Sequence, residues 1–103
     1  MIKVYCCFLD LDKIIVEEHI GKLRIDKNHP RIYFPKLKHS CIGLECFNKI
    51  MFKTKEEAEA QANKLQEITW QEWEAWIKEI KDRKNWLTIE QVKTLNLGEK
   101  INE

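Results

Sequence analysis

Residues 50–59 of this 103-residue chain read IMFKTKEEAE, and they mark the point where the sequence changes character. The apolar residues up to Phe52 have the composition of a strand, whereas Thr54 and the acidic residues after it are typical of a helix start. In residues 54–57, TKEE, the Thr hydroxyl can accept a hydrogen bond from the third backbone N–H, and the Glu can bond back to the Thr. The sequence therefore predicts strands before this point and helices after it.

The same capping signal occurs twice more along the second half, at residues 69–72 and 88–91, which read TWQE and TIEQ. We expect helices to begin after Thr54, Thr69 and Thr88 and to extend to about Ile68, Lys84 and Gly98. Each of these segments has apolar residues at helical spacing. They are Ala58, Ala62 and Leu65 in the first segment, Trp70, Trp73, Trp76, Ile77 and Ile80 in the second, and Trp86, Leu87, Val92 and Leu95 in the last.

The second helix carries three tryptophans on one face. One interpretation is that all of them belong to the core, since each Trp buries a large apolar area. The other is a surface for a partner, because Trp is enriched at interface hot spots. Trp73 and Ile80 lie in the middle of the apolar arc and are predicted to be core. Trp70 and Trp76 lie at its edges and are predicted to contact a partner.

The first strand is predicted at residues 2–9, where both alternating faces are largely apolar, as in a strand in the middle of a sheet. Residues 14–20 and 23–25 flank Gly21-Lys22, and the β-branched run at residues 14–16 favours a strand, so the sequence predicts a hairpin with its turn at Gly21. The alternative for this region is a short helix over residues 12–19.

Two further regions complete the predicted sheet. Arg31 to Phe34 is a short strand between Pro30 and Pro35, which indicates an edge or the start of a strand. Residues 41–52 supply one more strand, or two short strands broken near Gly43.

The predicted fold is therefore α+β, in a single domain over residues 1–103. An N-terminal antiparallel sheet of three to five strands is followed by two longer helices and one short C-terminal helix. The helices after Thr54 and Thr69 cover one face of the sheet, and the last helix packs at an edge. No apolar stretch is long enough to cross a membrane, the first strand is too short for a signal peptide, and the four cysteines are not spaced as a disulfide scaffold. We expect a cytoplasmic protein.

The charge is divided unevenly along the chain. Residues 1–53 have a net charge of +4 and residues 54–103 a net charge of −3. The basic segment, residues 22–38, combines cations with Tyr33 and Phe34, and this pattern suits nucleic acid. The alternatives are a solvated face that balances the acidic helices, favoured by the overall charge of +1, and an acidic protein partner. The predicted partner-binding residues in this segment are Lys22, Arg24, Lys27, Arg31, Tyr33, Lys36 and Lys38.

Metal binding and catalysis find little support in the residue spacing. His39, Cys41 and Cys46 could bind zinc with a fourth ligand from Cys6, Cys7 or His29, but the spacing lacks paired Cys-x-x-Cys motifs. Carboxylate pairs and His–Cys combinations are available, yet the chain has no Gly-rich phosphate loop, nucleophile elbow or His-Glu-x-x-His motif. The sequence therefore predicts a protein without metal or cofactor that is not an enzyme.

The junction between the two halves resembles a known type of protein. Residues 47–59, FNKIMFKTKEEAE, resemble a strand-to-helix phrase of small uncharacterised proteins of bacteriophages and mobile elements. The resemblance implies a non-enzymatic protein that binds and blocks a host or defence-system protein, such as a CRISPR effector, or that sequesters a signal molecule. The alternative from the residues is a small nucleic-acid-binding module that uses residues 22–38. Exposed tryptophans would equally suit a homodimer.

Overall fold

The computed structural model describes residues 1–38, 40–98 and 100. It has the predicted α+β fold, with a five-stranded antiparallel sheet followed by helices. The strands are β1 (Ile2–Asp10), β2 (Lys13–Asp26), β3 (His29–Phe34), β4 (Ser40–Gly43) and β5 (Met51–Phe52). The helices are α1 (Lys55–Lys64), α2 (Trp70–Ile80) and α3 (Ile89–Lys93), with 3₁₀ turns at Leu44–Cys46 and Arg83–Asn85.

The sheet has the strand order β4-β3-β2-β1-β5. The first four strands therefore pair with their neighbours in sequence, and β5 returns to pair with β1. The position of β1 inside the sheet confirms the prediction from its two apolar faces. A two-residue turn, Lys27-Asn28, joins β2 to β3, and both residues have positive φ (48° and 68°), as the common tight hairpin turn requires.

The predicted hairpin turn at Gly21 is wrong, and so is the alternative of a helix over residues 12–19. β2 runs without a break through Gly21, because residues 13–21 pair with β1 and residues 22–26 pair with β3. Gly21 is not in a turn; it allows the side chains of Ile32 and Phe34 to pack closely against the β2 backbone. A Cβ atom at position 21 would overlap Cγ2 of Ile32 and would lie 2.9 Å from Cε1 of Phe34.

The two regions that complete the sheet form strands as predicted. Residues 41–52 give the two short strands broken at Gly43. β3 begins at His29 and lies between β2 and β4, so of the two predicted alternatives the edge strand is wrong and the strand start is confirmed. Pro30 is tolerated because its nitrogen points toward β4 and not toward β2. β4 ends at Gly43, opposite Arg31, so no β4 residue lies opposite Pro30 to receive a hydrogen bond.

The sheet separates two apolar clusters, because consecutive side chains of β1 point to opposite faces. Cys7 belongs to the first cluster, with Ala58 of α1 and Trp73 of α2. Cys6 belongs to the second, with Ile32, Phe34 and Met51 of the sheet and Val92 of α3. The prediction that the last helix packs at an edge is therefore wrong, since Val92 is part of the core on the face opposite α1 and α2.

The helix starts are as predicted, but the helix ends are not. Thr69 and Thr88 each have both bonds of a capping box, and Thr54 accepts the bond from the Glu57 N–H. α1, α2 and α3 end at Lys64, Ile80 and Lys93, short of the predicted Ile68, Lys84 and Gly98. Among the described residues, no helix has the length and apolar character that crossing a bilayer requires.

Candidate functional site

Four of the predicted partner-binding residues lie together on one face of the sheet. The register of β2 and β3 places Lys22 opposite Tyr33 and Arg24 opposite Arg31. Residues that are directly opposite in an antiparallel pair point to the same face. The Arg24 guanidinium carbon lies 4.7 Å from the centre of the Tyr33 ring, which is cation–π distance. We call these four residues the basic face.

An acidic residue borders the basic face at the end next to the β2–β3 turn. Asp26 forms an ion pair with Nη2 of Arg31, and both side chains are at least partly exposed. Cys41 of β4 lies opposite Tyr33. A depression of about 280 Å³ lies here, and it is lined by Arg24, Ile25, Asp26, Arg31 and Cys41. The basic face thus combines cations, one of them partly neutralised, with a small depression at one end.

The other cations of residues 22–38 are exposed at the two ends of β3. Lys27 lies in the turn before β3, and Lys36 and Lys38 lie in the loop after it. Phe34 is buried in the second cluster, with 1% of its surface exposed. The prediction that Phe34 adds a second aromatic ring to the basic surface is therefore wrong, because it points to the opposite face from Tyr33.

The two predicted tryptophan contacts lie on a different part of the surface. Trp70 is 49% exposed, and its Nε1 donates a hydrogen bond of 2.8 Å to the backbone oxygen of Leu11. Leu11 is in the β1–β2 turn, at the opposite end of β2 from Lys27. Trp76 is half-buried and packs edge-to-face on Trp73, with ring centres 5.8 Å apart. The assignment of Trp73 to the core is confirmed.

One cluster near the basic face was not predicted. His29 Nε2 lies 2.8 Å from Oε1 of Glu45, whose side chain is 2% exposed. The His29 ring stacks on Trp86, with ring centres 3.7 Å apart and planes 5° apart. The Glu45 carboxylate occupies the space that a side chain at Gly43 would need. The sequence signal for this cluster is Glu45, which lies between apolar neighbours in residues 44–47, since a buried carboxylate needs a partner.

This cluster ties the segment between α2 and α3 to the β2–β3 turn. Trp86 contacts His29 on one side, and the Arg83 guanidinium carbon lies 5.4 Å from the Trp86 ring centre. Trp86 Nε1 also donates a hydrogen bond to the backbone oxygen of Lys81. Because His29, Glu45 and Trp86 each make a polar contact within the fold, we interpret the cluster as structural support at one end of the basic face.

Three of the four thiols are buried and are poor nucleophiles. Burial raises the pKa of Cys6 and of Cys46 to about 12, and the pKa of Cys7 to about 11. Because the thiolate is the reactive form, these pKa values make the three thiols unreactive near neutral pH. Cys7 Sγ instead donates a hydrogen bond of 3.2 Å to the backbone oxygen of Ala58.

The residues weighed as zinc ligands lie apart where the structure describes them. Cys41 is exposed on β4, whereas Cys46 is buried in the first cluster. His39 lies outside the described residues. Within the described ranges, no group of three or more His, Cys, Asp or Glu side chains is placed to bind a metal ion.

The basic face brings together four of the nine predicted contact residues, and its cations can bind an anionic group or an acidic surface. Comparison of the chain with protein-family models, with curated proteins and with solved structures gave no match. The functional conclusion therefore depends on the geometry of this chain's own residues.

Proposed function

We propose that this is a non-enzymatic binding protein whose basic face binds an acidic surface of a protein partner. The observation that carries the proposal is the convergence of Lys22, Arg24 and Arg31 around Tyr33 on one sheet face. Arg and Tyr are enriched among the residues that dominate binding energy at interfaces. Paired strands hold these side chains in place before binding, which lowers the entropic cost of association.

A binding role is supported because the groups that a nucleophilic mechanism would need are unreactive or already engaged. The buried thiols have raised pKa values, and the Glu45 carboxylate is engaged by His29 inside the fold. The depression beside the basic face has a volume of about 280 Å³, slightly below the roughly 300–1,000 Å³ of typical small-ligand pockets.

A protein partner fits the basic face better than nucleic acid does. Single-stranded nucleic acid needs successive aromatic rings for its bases, and Phe34 is buried on the other face. On the basic face, Arg24 already stacks on Tyr33, and Asp26 partly neutralises Arg31. The overall charge of +1 is also small for a nucleic-acid binder.

In this proposal the partner is a host or defence-system protein, and binding blocks the acidic surface that it covers. The inhibitory part of the proposal is supported by the resemblance of residues 47–59 to phage and mobile-element proteins. Interfaces of this kind are screened by salt, since exposed charges interact weakly beyond about 8 Å at physiological ionic strength. Association should therefore be fastest at low salt.

Affinity capture from bacterial lysate, with and without nuclease, tests the proposal. We expect the wild-type chain to retain a stoichiometric protein after nuclease treatment, and the Lys22→Glu/Arg24→Glu variant to lose it. The matched control is Lys64→Glu/Lys78→Glu, which reverses two exposed lysines on α1 and α2 and should capture as the wild type does. Capture that is equal for both double variants would contradict the proposal, and so would capture that disappears with nuclease.

A second candidate function is nucleic-acid binding. The observation that favours it is that Lys36 and Lys38 are exposed in the loop directly after β3 and add two cations to the segment. Fluorescence anisotropy with a labelled single-stranded oligonucleotide tests it. If about four phosphates are contacted, raising the salt fourfold should weaken binding roughly 50-fold. Binding that does not change with salt, or no binding at low salt, would count against this function.

A further inference from the structure

One half of β2 has a strand neighbour on one side only. β2 is 14 residues long, and β1 pairs with residues 13–21 along one edge. Along the other edge β3 pairs only with residues 22–26, because β3 ends at Phe34 and is followed by Pro35. In the part of the chain that the structure describes, no strand pairs with the second edge of residues 13–21.

The contacts of Ile14 show which backbone groups face this edge. The Ile14 N–H donates to Oε1 of Gln66 (3.3 Å), and the Ile14 carbonyl accepts from Nε2 of Gln66 (3.0 Å). The backbone N–H and carbonyl of Ile14 therefore point away from β1. Because backbone groups alternate in direction along an antiparallel strand, those of Val16, Glu18 and Ile20 point the same way. Those of the intervening residues point to β1.

Val16, Glu18 and Ile20 present three N–H and three carbonyl groups in a row. Among the described residues, no hydrogen bond reaches any of these six groups. The row spans roughly 14 Å, the rise of four extended residues. We call residues 16–20 the open edge. At Ile14 the side-chain amide of Gln66 makes the two hydrogen bonds that a residue of a neighbouring strand would make. Ile14 is therefore not part of the open edge.

We propose that the open edge binds an extended segment of a partner protein, which adds to the sheet as an antiparallel strand with basic residues opposite Glu17 and Glu18. Strand addition of this kind takes affinity from backbone hydrogen bonds and specificity from the side chains. This site is separate from the basic face and has the opposite charge, so it goes beyond the function proposed above.

Charge selects the occupant of the open edge. The side chains of Glu17 and Glu18 are 47% and 51% exposed and point to opposite faces of β2. Glu18 forms a long, partly exposed ion pair with Lys3 (3.9 Å), and such pairs contribute little and leave the carboxylate available to a second cation. A second copy of the chain, paired about a two-fold axis at the centre of the open edge, would place Glu18 opposite Glu18. Like charges directly opposite each other destabilise a strand pair. Lys or Arg in the incoming strand replaces this repulsion by attraction, so a basic segment of another protein fits better.

A small depression at the end of the open edge gives a second element of recognition. It has a volume of about 140 Å³ and is lined by Glu18, His19, Ile20, Phe34, Lys36 and Leu37. Lys36, the cation among them, lies at the Ile20 end and away from Glu17. His19 Nε2 is buried and has no hydrogen-bond partner among the described residues, although Oε1 of Glu17 lies 3.5 Å away. A hydroxyl side chain opposite His19 in the incoming strand could bond to this nitrogen.

The probe for the experiment is the blocked pentapeptide VTKKI. In antiparallel alignment its Val lies opposite Ile20, its Thr opposite His19, its two Lys opposite Glu18 and Glu17, and its Ile opposite Val16. The peptide is titrated into the full-length, ¹⁵N-labelled chain. We expect the amide protons of Val16, Glu18 and Ile20 to shift downfield. At nine times the Kd, their hydrogen exchange should slow roughly tenfold.

Two matched peptides separate strand addition from charge attraction. N-methylation of the third residue, whose N–H faces β2, should weaken binding at least tenfold. N-methylation of the second residue, whose N–H faces away, should leave the affinity within about twofold. The acidic peptide VTEEI should bind at least tenfold more weakly than VTKKI at low salt.

A variant of the protein completes the test. Glu18→Pro removes one N–H of the open edge without removing a bond to β1, so the chain should keep its fold and lose at least tenfold in affinity for VTKKI. Equal binding of the two N-methylated peptides would overturn the proposal. So would shifts confined to the basic face, no shift at the open edge with millimolar VTKKI, or a free chain that is a dimer with these amides protected.

Discussion

Replacing Gly21 by Ala should destabilise the protein, although alanine is normally the better strand residue. The new Cβ would overlap Cγ2 of Ile32 and lie 2.9 Å from Cε1 of Phe34, and both of these side chains are fully buried. Overpacking of this kind costs about 1–3 kcal/mol. The smaller entropy of the unfolded chain offsets about 0.5–1 kcal/mol. The overlap with Cγ2 of Ile32 places the overpacking cost at about 2–3 kcal/mol, so after an offset of about 1 kcal/mol we expect the free energy of unfolding to fall by about 1–2 kcal/mol.

Thermal unfolding followed by circular dichroism measures this loss. For a domain of 103 residues the entropy of unfolding is about 0.2 kcal/mol per degree, so Tm should fall by roughly 5–10 °C. Lys22→Ala, at the exposed neighbouring position, is the control and should change stability by less than about 0.5 kcal/mol.

A double-mutant cycle identifies the cause. Ile32→Ala removes the colliding methyl group, so Gly21→Ala should cost at least about 1 kcal/mol less in that background. A Gly21→Ala variant that is as stable as the wild type, or one whose cost is unchanged by Ile32→Ala, would refute the explanation of β2 as one continuous strand packed closely at Gly21.

Three further predictions concern the core and the helix starts. Burial raises the pKa of Cys6 and Cys46 from an ordinary value of 9.0 to about 12 and that of Cys7 to about 11, so the unfolded chain releases these protons first; stability should be constant below about pH 8 and fall by up to roughly 4 kcal/mol per pH unit above about pH 9. Urea midpoints between pH 8 and pH 10.5 measure this, and a flat profile would contradict it. Trp73→Ala should cost about 3–5 kcal/mol in urea unfolding, whereas Trp70→Ala, at an exposed position, should cost less than about 1.5 kcal/mol; the reverse order would mean that α2 is rotated. Thr69→Ala should cost about 1 kcal/mol by loss of the helix cap and Thr69→Ser much less, and equal losses for the two would exclude the hydroxyl as the cause.

The helix starts could be predicted because a cap is local chemistry. Thr69 and Glu72 are three residues apart, and their bonds need no other part of the chain. The helix ends depend on distant contacts. After α1, Gln66 turns away to pair with Ile14, and after α2 the Asp82 carboxylate accepts from the Lys84 N–H and starts a 3₁₀ turn. Neither preference is visible in helical periodicity.

In the sheet and the candidate site, too, features that depend on distant contacts could not be predicted from the sequence. The length of β2 depends on its having a different partner on each half, so Gly21 could not be distinguished from a turn glycine by sequence. The pairing of His29 with Glu45 joins residues 16 apart and needed the register of β3. The error at Phe34 was avoidable, since strand alternation alone places it on the opposite face from Tyr33.

The return of β5 to β1 has a consequence for the order in which the chain folds. The hairpins β1–β2 and β2–β3 join neighbouring segments through short turns, and such local contacts form quickly. The pairing of Tyr5 with Phe52 encloses almost half of the chain, and loop closure makes it slower. During synthesis, the apolar faces of β1 are therefore exposed on the ribosome until α1 and the later helices emerge. We expect the nascent chain to depend most on chaperones in this interval.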